Sequence, residues 1–397
     1  RLWFTLLHDT LLSFGFEQSK TEQCMFTIRT PEFNCTVIVY VDDIIIVAPQ
    51  QTHIQTFKNK LTSAFNCKEL GIPSWLLGVR VLVENDSISL VQDAYVDELL
   101  EEFNLDDAHP APTPATGPRP TENKGERFDC QYRELIGKLQ YVSNFTRPDI
   151  STSLNQLASY MANPSEDHWT AVCRIARYLK DKKNYGLRYK KGTQPPLLTA
   201  YTDADYAGCT DTRRSTTGYI ICIDGTPIAW RSTRQKNIST STAESEYCAA
   251  SDTAKQVQWT RQFLHELGFP QQTPTIFYCD NQSAISVINN TGTPKGLKHV
   301  DIRMHHIREL AHNNIINTTY IPTNDNVADI MTKTLPGPAH RHHTDNILTK
   351  LHIPNTSDHN EPHDTSEHNE PQTTTPDILL LITTIPSTPT TILPIPQ

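Results

Sequence analysis

Four acidic positions in the second half of the sequence stand at the ends of strand-like runs or inside a helical pattern. They are Asp203, one of Glu244 and Glu246, Asp280, and Asp329. Mg²⁺ prefers hard oxygen ligands, and one or two carboxylates per ion together with a substrate phosphate suffice to hold it. Two such ions about 4 Å apart can activate a water molecule and stabilise the leaving oxygen of a phosphodiester. The residue types therefore indicate metal-assisted hydrolysis of a phosphodiester.

Short strands and one long helix must position these carboxylates. The strands are expected at 197–203, 218–223, 227–231, 275–279 and 315–321. The turn Asp224-Gly225 joins the second strand to the third. Apolar residues recur at helical spacing from Ser239 to Leu267, which predicts a helix that carries the glutamate. Asp203 and the glutamate would then lie close together although they are far apart in the sequence.

A simpler interpretation exists for each aspartate taken alone, because aspartate is common in turns and at helix caps. Four carboxylates in this order on this pattern of elements favour the metal site over four unrelated turns.

The composition gives less support to a nucleic-acid substrate, since the 397 residues carry a formal net charge of −9. That balance argues against non-specific coating of DNA, but it permits local contacts mediated by metal ions.

The composition sets further limits. A chain of this length with 37% hydrophobic and 20% charged residues is expected to form two or three domains. The nine cysteines include no C-x-x-C pair, so neither a zinc site nor a disulfide framework is expected, and a reducing, intracellular location is favoured. No apolar run approaches the roughly 18 residues of a membrane span.

The first third of the sequence contains a second acidic pair. Residues 3–16 predict an amphipathic helix. Two β-branched runs, 37–40 and 44–47, bracket Asp42 and Asp43, which predicts a β-hairpin with both acids at its tip. Further helices are expected at 52–66, 94–103, 132–145, 150–161 and 165–180, and further strands at 75–83 and 87–91.

Three other segments differ in composition. Residues 109–120 are rich in proline and predict a linker. A basic cluster follows, which is either a solvated face or a track for a phosphate backbone; its members are Lys180, Lys182, Lys183, Arg188, Lys190 and Lys191. Residues 337–397 are dominated by His, Thr, Pro, Asn and Asp, which predicts a disordered tail.

A series of motifs resembles the Pol polyproteins of copia-type retrotransposons, in order from residue 1 to about residue 336. The motifs are Arg1–Phe4 (RLWF), Tyr40–Asp43 (YVDD), Tyr132–Gly137 (YRELIG), Thr146–Ile150 (TRPDI), Arg177–Lys180 (RYLK), Thr202–Gly208 (TDADYAG), Asp211–Gly218 (DTRRSTTG), Ser241–Tyr247 (STAESEY), Asp280–Ala284 (DNQSA) and Ala328–Ile330 (ADI).

The resemblance implies an α+β and α/β chain of several parts. Residues 1–115 would be the C-terminal part of a reverse transcriptase, a truncated palm and thumb, and residues 116–192 a helical connection. Residues 193–336 would form a ribonuclease H-like domain, a mixed five-stranded sheet flanked by helices, followed by the disordered tail.

The resemblance also implies roles for the carboxylates. Asp203, Glu246, Asp280 and Asp329 match the family's ligands for two Mg²⁺ ions, with Mn²⁺ as an alternative. Glu246 is preferred to Glu244 because Glu246–Ala249 (EYCA) fits the family pattern better. Implied partners are an RNA–DNA hybrid, an RNA template with its primer, and other parts of a Pol polyprotein, but no membrane. The loop 321–326 lacks the histidine that many ribonucleases H carry there.

Asp42 and Asp43 match the metal-binding pair of the polymerase. That enzyme also needs an earlier aspartate and the fingers that hold the nucleotide, and the sequence before Asp42 offers no strand-borne candidate, since Asp9 lies in the predicted helix. The sequence starts at Arg1 without a methionine, which suggests a fragment. Three interpretations therefore stay open: a hybrid-cleaving ribonuclease, a reverse transcriptase completed by upstream sequence, and an inactive nucleic-acid-binding relic. The expected location is the cytoplasm, in virus-like particles, or the nucleus.

Overall fold

The computed structural model describes residues 2–192, 196–289, 301–353 and 378–384. Tertiary contacts divide this chain into two compact units. The first contains residues 1–76 and 262–270 and the strand at 378–384, and the second contains residues 77–261 and the described residues from 271 to 353. Across the described residues, every helix is either too short or too polar to span a bilayer.

The α-helices are α1 (Leu2–Ser13), α2 (Gln51–Ala64), α3 (Asp93–Glu102), α4 (Tyr132–Phe145), α5 (Ser151–Ala158), α6 (Glu166–Asp181), α7 (Thr242–Glu266), α8 (Gln282–Asn289), α9 (Asp301–His312) and α10 (Gly337–Ile347). Short 3-10 helices cover Pro148–Ile150, Thr323–Asp325 and Val327–Met331.

The strands are β1 (Glu17–Gln18), β2 (Met25–Arg29), β3 (Asn34–Tyr40), β4 (Asp43–Ala48), β5 (Cys67–Gly71), β6 (Trp75–Leu76), β7 (Val79–Val83), β8 (Ser87–Val91), β9 (Tyr185–Lys190), β10 (Leu198–Asp205), β11 (Thr216–Ile223), β12 (Thr226–Arg234), β13 (Thr275–Cys279), β14 (Ile316–Tyr320), β15 (Thr349–Lys350) and β16 (Ile378–Thr384).

The first unit is built on one antiparallel sheet with the strand order β1–β2–β3–β4–β16–β5. Helices α1 and α2 bury their apolar stripes against this sheet, as the spacing of their hydrophobic residues predicts. The core residues that helices and strands share are Leu7, Leu11, Phe26, Val37, Val39, Ile44, Ile46, Ile54, Phe57 and Leu61. The predicted hairpin is present as β3 and β4.

The second unit contains a five-stranded sheet with the order β12–β11–β10–β13–β14. Strands β10, β11 and β12 pair antiparallel, whereas β13 is parallel to β10 and β14 is parallel to β13. Each parallel connection passes through helices, as crossover connections must. The prediction of a mixed five-stranded sheet flanked by helices is confirmed.

Helices α3 to α6 form a second hydrophobic core within this unit. The buried residues they share include Val96, Leu99, Tyr132, Leu135, Leu139, Val142, Ile150, Leu154, Val172, Ile175 and Leu179. The proline-rich segment predicted as a linker packs on α6, since the backbone N–H of Ala111 donates to the Arg177 carbonyl at 3.2 Å. Arg177 Nε in turn donates to the carbonyl of His109 at 2.6 Å.

Strand β9 lies where the sequence suggests only a basic cluster. It joins β15 and β8 in a sheet that continues to β7. Arg188 pairs with Glu84 at 2.6 Å and Lys183 with Asp97 at 2.8 Å, so these cations are neutralised within the protein. These two pairs favour a solvated face of the protein, the first interpretation of the cluster, over a track for a phosphate backbone.

Helix α10 corrects the expected start of the disordered tail. Its polar composition concealed a helical period in which His340, His343, Thr344 and Ile347 are buried. Pro338 at the start of the helix is compatible with the first turn, where its missing N–H has no partner to lose. Ordered chain therefore continues to residue 353, and most of the tail beyond it lies outside the described residues.

A fully buried ion pair anchors the helical part of the second unit. Arg147 donates through Nη2 to Asp149 Oδ2 at 2.7 Å, and its side chain and that of Asp149 are 2% and 0% exposed. The Tyr178 hydroxyl donates to the same oxygen at 2.6 Å. His340 Nε2 lies 3.1 Å from the backbone oxygen of Asp149, which connects α10 to this network.

We expect D149A to lower the free energy of unfolding of the second unit by about 3–5 kcal/mol, because it leaves the Arg147 guanidinium buried without its counter-ion. Urea unfolding monitored by circular dichroism measures the change. D97A is the matched control: its carboxylate pairs with Lys183 at the surface, where such pairs contribute about 1 kcal/mol or less. Equal effects of the two substitutions would contradict this account.

Candidate active site

The pairing of β10 with β13 brings two of the predicted site residues side by side. The two strands are parallel, and Thr202 lies opposite Cys279 in their register. The next residues along each strand are Asp203 and Asp280, so both carboxylates emerge at the same edge of the sheet. Asp203 is 3% exposed and Asp280 is half-buried. The Thr323 hydroxyl donates to Asp280 Oδ2 at 2.7 Å.

Helix α7 supplies the glutamate. Glu246 is 5% exposed, and one of its carboxylate oxygens lies within 4.8 Å of an Asp280 oxygen. Glu244 serves the helix start instead, because its carboxylate accepts hydrogen bonds from the backbone N–H and the hydroxyl of Thr240 at 2.7 and 2.6 Å. The structure therefore places Glu246, the preferred glutamate, and not Glu244 in the acidic cluster.

Asp329 reaches the cluster from the 3-10 helix Val327–Met331. Carboxylate oxygens of Asp203, Asp280 and Asp329 all lie within 4.8 Å of one another. Asn326 fixes this segment: its Nδ2 donates to the Thr202 carbonyl at 3.0 Å, and its Oδ1 accepts from the Ala328 N–H. The four positions predicted from the sequence thus converge at one edge of the sheet.

Gly218 makes this convergence possible. It lies opposite Asp203 on β11. A methyl group at position 218 would lie 2.5 Å from Thr332 Cγ2 and 2.6 Å from Met331 Cβ, both closer than van der Waals contact allows. Only glycine lets the segment that carries Asp329 approach the sheet so closely, and the sequence pattern gave this glycine no role in the site.

The carboxylates strongly disfavour one another's ionisation. Burial, and then the charge of Asp329, raise the pKa of Asp203 to about 7. Burial and the charges of Asp203 and Asp280 raise the pKa of Glu246 to about 10. Burial also raises the pKa of Asp329. Desolvation and like charge both penalise the anionic forms, so a cation at this site would relieve both.

Lys333 is a site residue that the sequence analysis missed. Its Nζ lies 2.9 Å from Asp329 Oδ1. Burial alone would lower the pKa of Lys333, but the nearby charges of Asp203 and Asp329 raise it above its usual value. The preceding residue, Thr332, donates its hydroxyl to Asp203 Oδ2. No helical spacing pointed to Lys333, because the 3-10 helix that carries Asp329 ends at Met331 and Lys333 lies beyond it.

The cluster retains unused ligand capacity. Within the described chain, Glu246 Oε2 and Asp280 Oδ1 are buried and have no hydrogen-bond partner. Such atoms are costly unless something binds them. Cys279 also belongs here, because its Sγ and oxygens of Glu246 and Asp280 lie within 4.8 Å of one another.

The second predicted pair, Asp42 and Asp43, lies at the tip of the β3–β4 hairpin in the first unit. Val41 and Asp42 form the turn, and Asp43 begins β4 opposite Tyr40. Val41 has φ +54°, an unusual conformation for a β-branched residue. Among the described residues, the groups of three possible metal ligands include neither Asp42 nor Asp43.

We expect the stability of the metal-free protein to fall as pH rises from about 4 to about 7. In this range native Asp203 still binds a proton that the unfolded chain, with a pKa near 3.8, has lost. D203N removes the stabilisation that this bound proton supplies, so the melting temperature of the variant should fall less between pH 5 and pH 8 than that of the wild type. Each kcal/mol of stability that only the wild type loses should lower its melting temperature by about 2–4 °C.

The measurement is thermal unfolding in a chelator at both pH values. D345N, at an exposed position on α10, is the control and should follow the wild type. Identical pH dependence in the wild type and D203N would refute the assigned role of burial and charge at Asp203.

We expect G218A to lower the free energy of unfolding by about 1–3 kcal/mol, because the added methyl group forces the 3-10 helix away from β11. G137A is the control, and it should raise the free energy of unfolding instead of lowering it. Position 137 lies inside α4 with open space around it, where alanine in place of glycine stabilises a helix by up to about 1 kcal/mol. Chemical unfolding of both variants gives the comparison. If G218A were as stable as the wild type, the 3-10 helix would move away from β11 without an energetic cost, which would contradict this account.

The sequence of this chain is similar to those of known proteins. Residues 1–117 match the family model of the reverse transcriptase (RNA-dependent DNA polymerase). The chain is 35% identical over 348 residues to the retrovirus-related Pol polyprotein from transposon TNT 1-94 of Nicotiana tabacum, an alignment that covers 85% of this chain and 26% of that protein. It is also 35% identical over 338 residues to the retrovirus-related Pol polyprotein from transposon RE2 of Arabidopsis thaliana, covering 84% of this chain and 23% of that protein.

Among solved structures, LC11-RNase H1, isolated from compost by a metagenomic approach, aligns with a TM-score of 0.28 and 15% sequence identity. That alignment covers 34% of this chain and 92% of the other. The chain spans about a quarter of the length of the curated relatives named above. The reverse transcriptase family model thus matches residues 1–117, and the similarity to Pol polyproteins of copia-type retrotransposons extends over most of the chain.

Proposed function

We propose that the second unit is a ribonuclease that cleaves the RNA strand of RNA–DNA hybrids by two-metal hydrolysis. Asp203, Glu246, Asp280 and Asp329 would hold the two Mg²⁺ ions, with Mn²⁺ as an alternative. The observation that carries the proposal is the convergence of Asp203, Asp280 and Asp329 within 4.8 Å, with Glu246 beside Asp280. Burying carboxylates this close together is unfavourable, and a bound divalent cation would offset their mutual repulsion.

The donor atoms fit hard divalent cations. All four ligands present carboxylate oxygens, which Mg²⁺ and Mn²⁺ prefer. Glu246 Oε2 and Asp280 Oδ1 have no hydrogen-bond partner among the described residues, so they can bind an ion without losing an existing interaction. Burial and mutual repulsion raise the pKa values of Asp203 and Glu246 although Lys333 is nearby, so a bound cation would stabilise their anionic forms.

Neighbouring side chains hold the carboxylates in position and offset part of their negative charge. When bound, Mg²⁺ would supply Lewis-acid chemistry, polarising the scissile phosphate and making water a better nucleophile by lowering its pKa. Thr332 holds the Asp203 carboxylate through its hydroxyl, and Asn326 ties the Asp329 segment to β10. Lys333 offsets part of the negative charge as a phosphate approaches. The loop 321–326 has no histidine, so no histidine general acid is assigned.

Selectivity for the RNA strand would come from hydrogen bonds to 2′-hydroxyls, the group that distinguishes RNA from DNA. The substrate would therefore be the hybrid that forms during reverse transcription, and the template and other Pol segments would be partners of the longer polyprotein.

A second activity is proposed for the first unit only as part of a longer Pol chain. Its residues belong to the reverse transcriptase family, and the tip of the β3–β4 hairpin presents Asp42 and Asp43 together beside the unusual backbone of Val41. A polymerase site of this type needs a further carboxylate. RNA-directed DNA synthesis is therefore proposed for a chain completed by additional sequence.

The test of the ribonuclease is cleavage of an end-labelled RNA–DNA duplex in the presence of Mg²⁺. We expect D203N, E246Q, D280N and D329N each to lower the rate at least about 100-fold, because removing an outer partner of a metal ligand already costs about 10–100-fold. E244Q is the matched control two residues from Glu246. Glutamine can still cap the helix, so its rate should stay close to that of the wild type.

Primer extension on the same duplex distinguishes the alternatives. Cleavage without extension supports the ribonuclease of the second unit, and both activities together support a complete polymerase as well. Wild-type protein that is folded but neither cleaves nor extends would refute the proposal in favour of an inactive relic.

A further inference from the structure

Cys279 brings a thiol into the acidic cluster. It is the last residue of β13 and is 0% exposed. Its Sγ and carboxylate oxygens of Glu246 and Asp280 all lie within 4.8 Å of one another. The proposed hydrolysis makes no use of this sulfur, because Mg²⁺ binds hard oxygen atoms. The three groups form a mixed sulfur and oxygen donor set that shares two members with the Mg²⁺ site.

The surroundings of these donors favour a bound cation. Glu246 is 5% exposed, and its Oε2 has no hydrogen-bond partner in the described part of the chain. Asp280 Oδ1 is likewise buried without a partner there. The backbone N–H of Asn281 points at Cys279 Sγ at 3.5 Å, and the sulfur lies at the end of β13 beside the two carboxylates.

We propose that Glu246, Cys279 and Asp280 form a binding site for a divalent cation of intermediate softness, of the Zn²⁺ class, which displaces Mg²⁺ and inhibits the enzyme. Three protein ligands are typical of a Zn²⁺ site that keeps its fourth tetrahedral position open for water or a phosphate oxygen. On binding, a sulfur–metal bond forms, the S–H bond breaks, and the proton leaves to solvent. No electrons are transferred, so no oxidant or reductant is required.

Ligand chemistry decides between the two cations. A thiolate strengthens the binding of Zn²⁺ and Cd²⁺, whereas Mg²⁺ gains nothing from sulfur. Because Glu246 and Asp280 belong to both donor sets, the two occupancies exclude each other. The inhibitory consequence rests on the proposed ribonuclease function, whereas the binding of the soft cation does not.

The binding test uses the full chain, freed of metal, titrated with Cd²⁺ or Co²⁺ without substrate. Thiolate-to-metal charge-transfer absorption reports the sulfur ligand directly. We expect one high-affinity equivalent in the wild type, and at least about tenfold weaker binding with loss of this absorption in C279S. C279A, which introduces no hydroxyl, should give the same result. E246Q should weaken binding although every thiol is retained.

C222S is the matched control, because Cys222 is also buried in the same sheet, at 2% exposure, on β11. It should titrate like the wild type, and melting temperatures without metal confirm that each variant is folded. An unchanged absorption band in folded C279S or C279A, or the same loss in C222S, would overturn the proposed site.

The second measurement is hybrid cleavage at fixed Mg²⁺ with increasing Zn²⁺. The wild type and C222S should be inhibited at similar concentrations, and C279S should need at least about tenfold more Zn²⁺. Equal inhibition of all three would overturn the inhibitory role. If wild-type protein cleaves no hybrid at all, the proposed ribonuclease function fails, while the absorption titration still decides whether the soft-metal site exists.

Discussion

Repulsion between buried carboxylates is the constraint on which this site depends. Asp203, Glu246 and Asp329 are each at most 5% exposed, so water screens their charges poorly. The surrounding fold must therefore hold them together against an unfavourable electrostatic energy. The β10–β13 pairing, the close approach of the Asp329 segment to Gly218 and the hydrogen bonds of Asn326 supply that restraint. Lys333, which pairs with Asp329, offsets part of the negative charge of these carboxylates.

Much of this arrangement could be read from the sequence because it follows local periodicity. Apolar runs that alternate or end at a polar residue predicted β10, β11 and β13, and they placed Asp203 and Asp280 at strand ends. The parallel pairing of β10 with β13, which brings the two carboxylates side by side, emerged only from the structure. The choice between Glu246 and Glu244 did not follow from periodicity, because both lie in the first turns of α7. There the family motif supplied the preference, and the capping role of Glu244 shows why the two glutamates differ.

Other features depend on tertiary contacts that no local pattern encodes. Gly218 resembles any glycine in a strand until the segment that contacts it is known. Cys279 and Lys333 acquire their significance only from residues far away in the sequence. For β9 and α10 a signal existed but was obscured. The alternation of Tyr185, Leu187 and Tyr189 was hidden by basic neighbours, and the buried face of α10 contains histidine and threonine.

Helices α4 and α5 and the part of the unit that carries the carboxylates are joined by buried and partly buried hydrogen bonds. Thr152 on α5 donates to the carbonyl of Ile330, next to Asp329, at 2.7 Å. Trp230 on β12 donates to the carbonyl of Ser143 on α4 at 2.9 Å. A recombination event between transposable elements that exchanged the sheet alone would separate these partners. Their polar groups would then lie in the interior without hydrogen-bond partners. Exchange of the sheet between related chains should therefore carry the preceding helices along, as one heritable block.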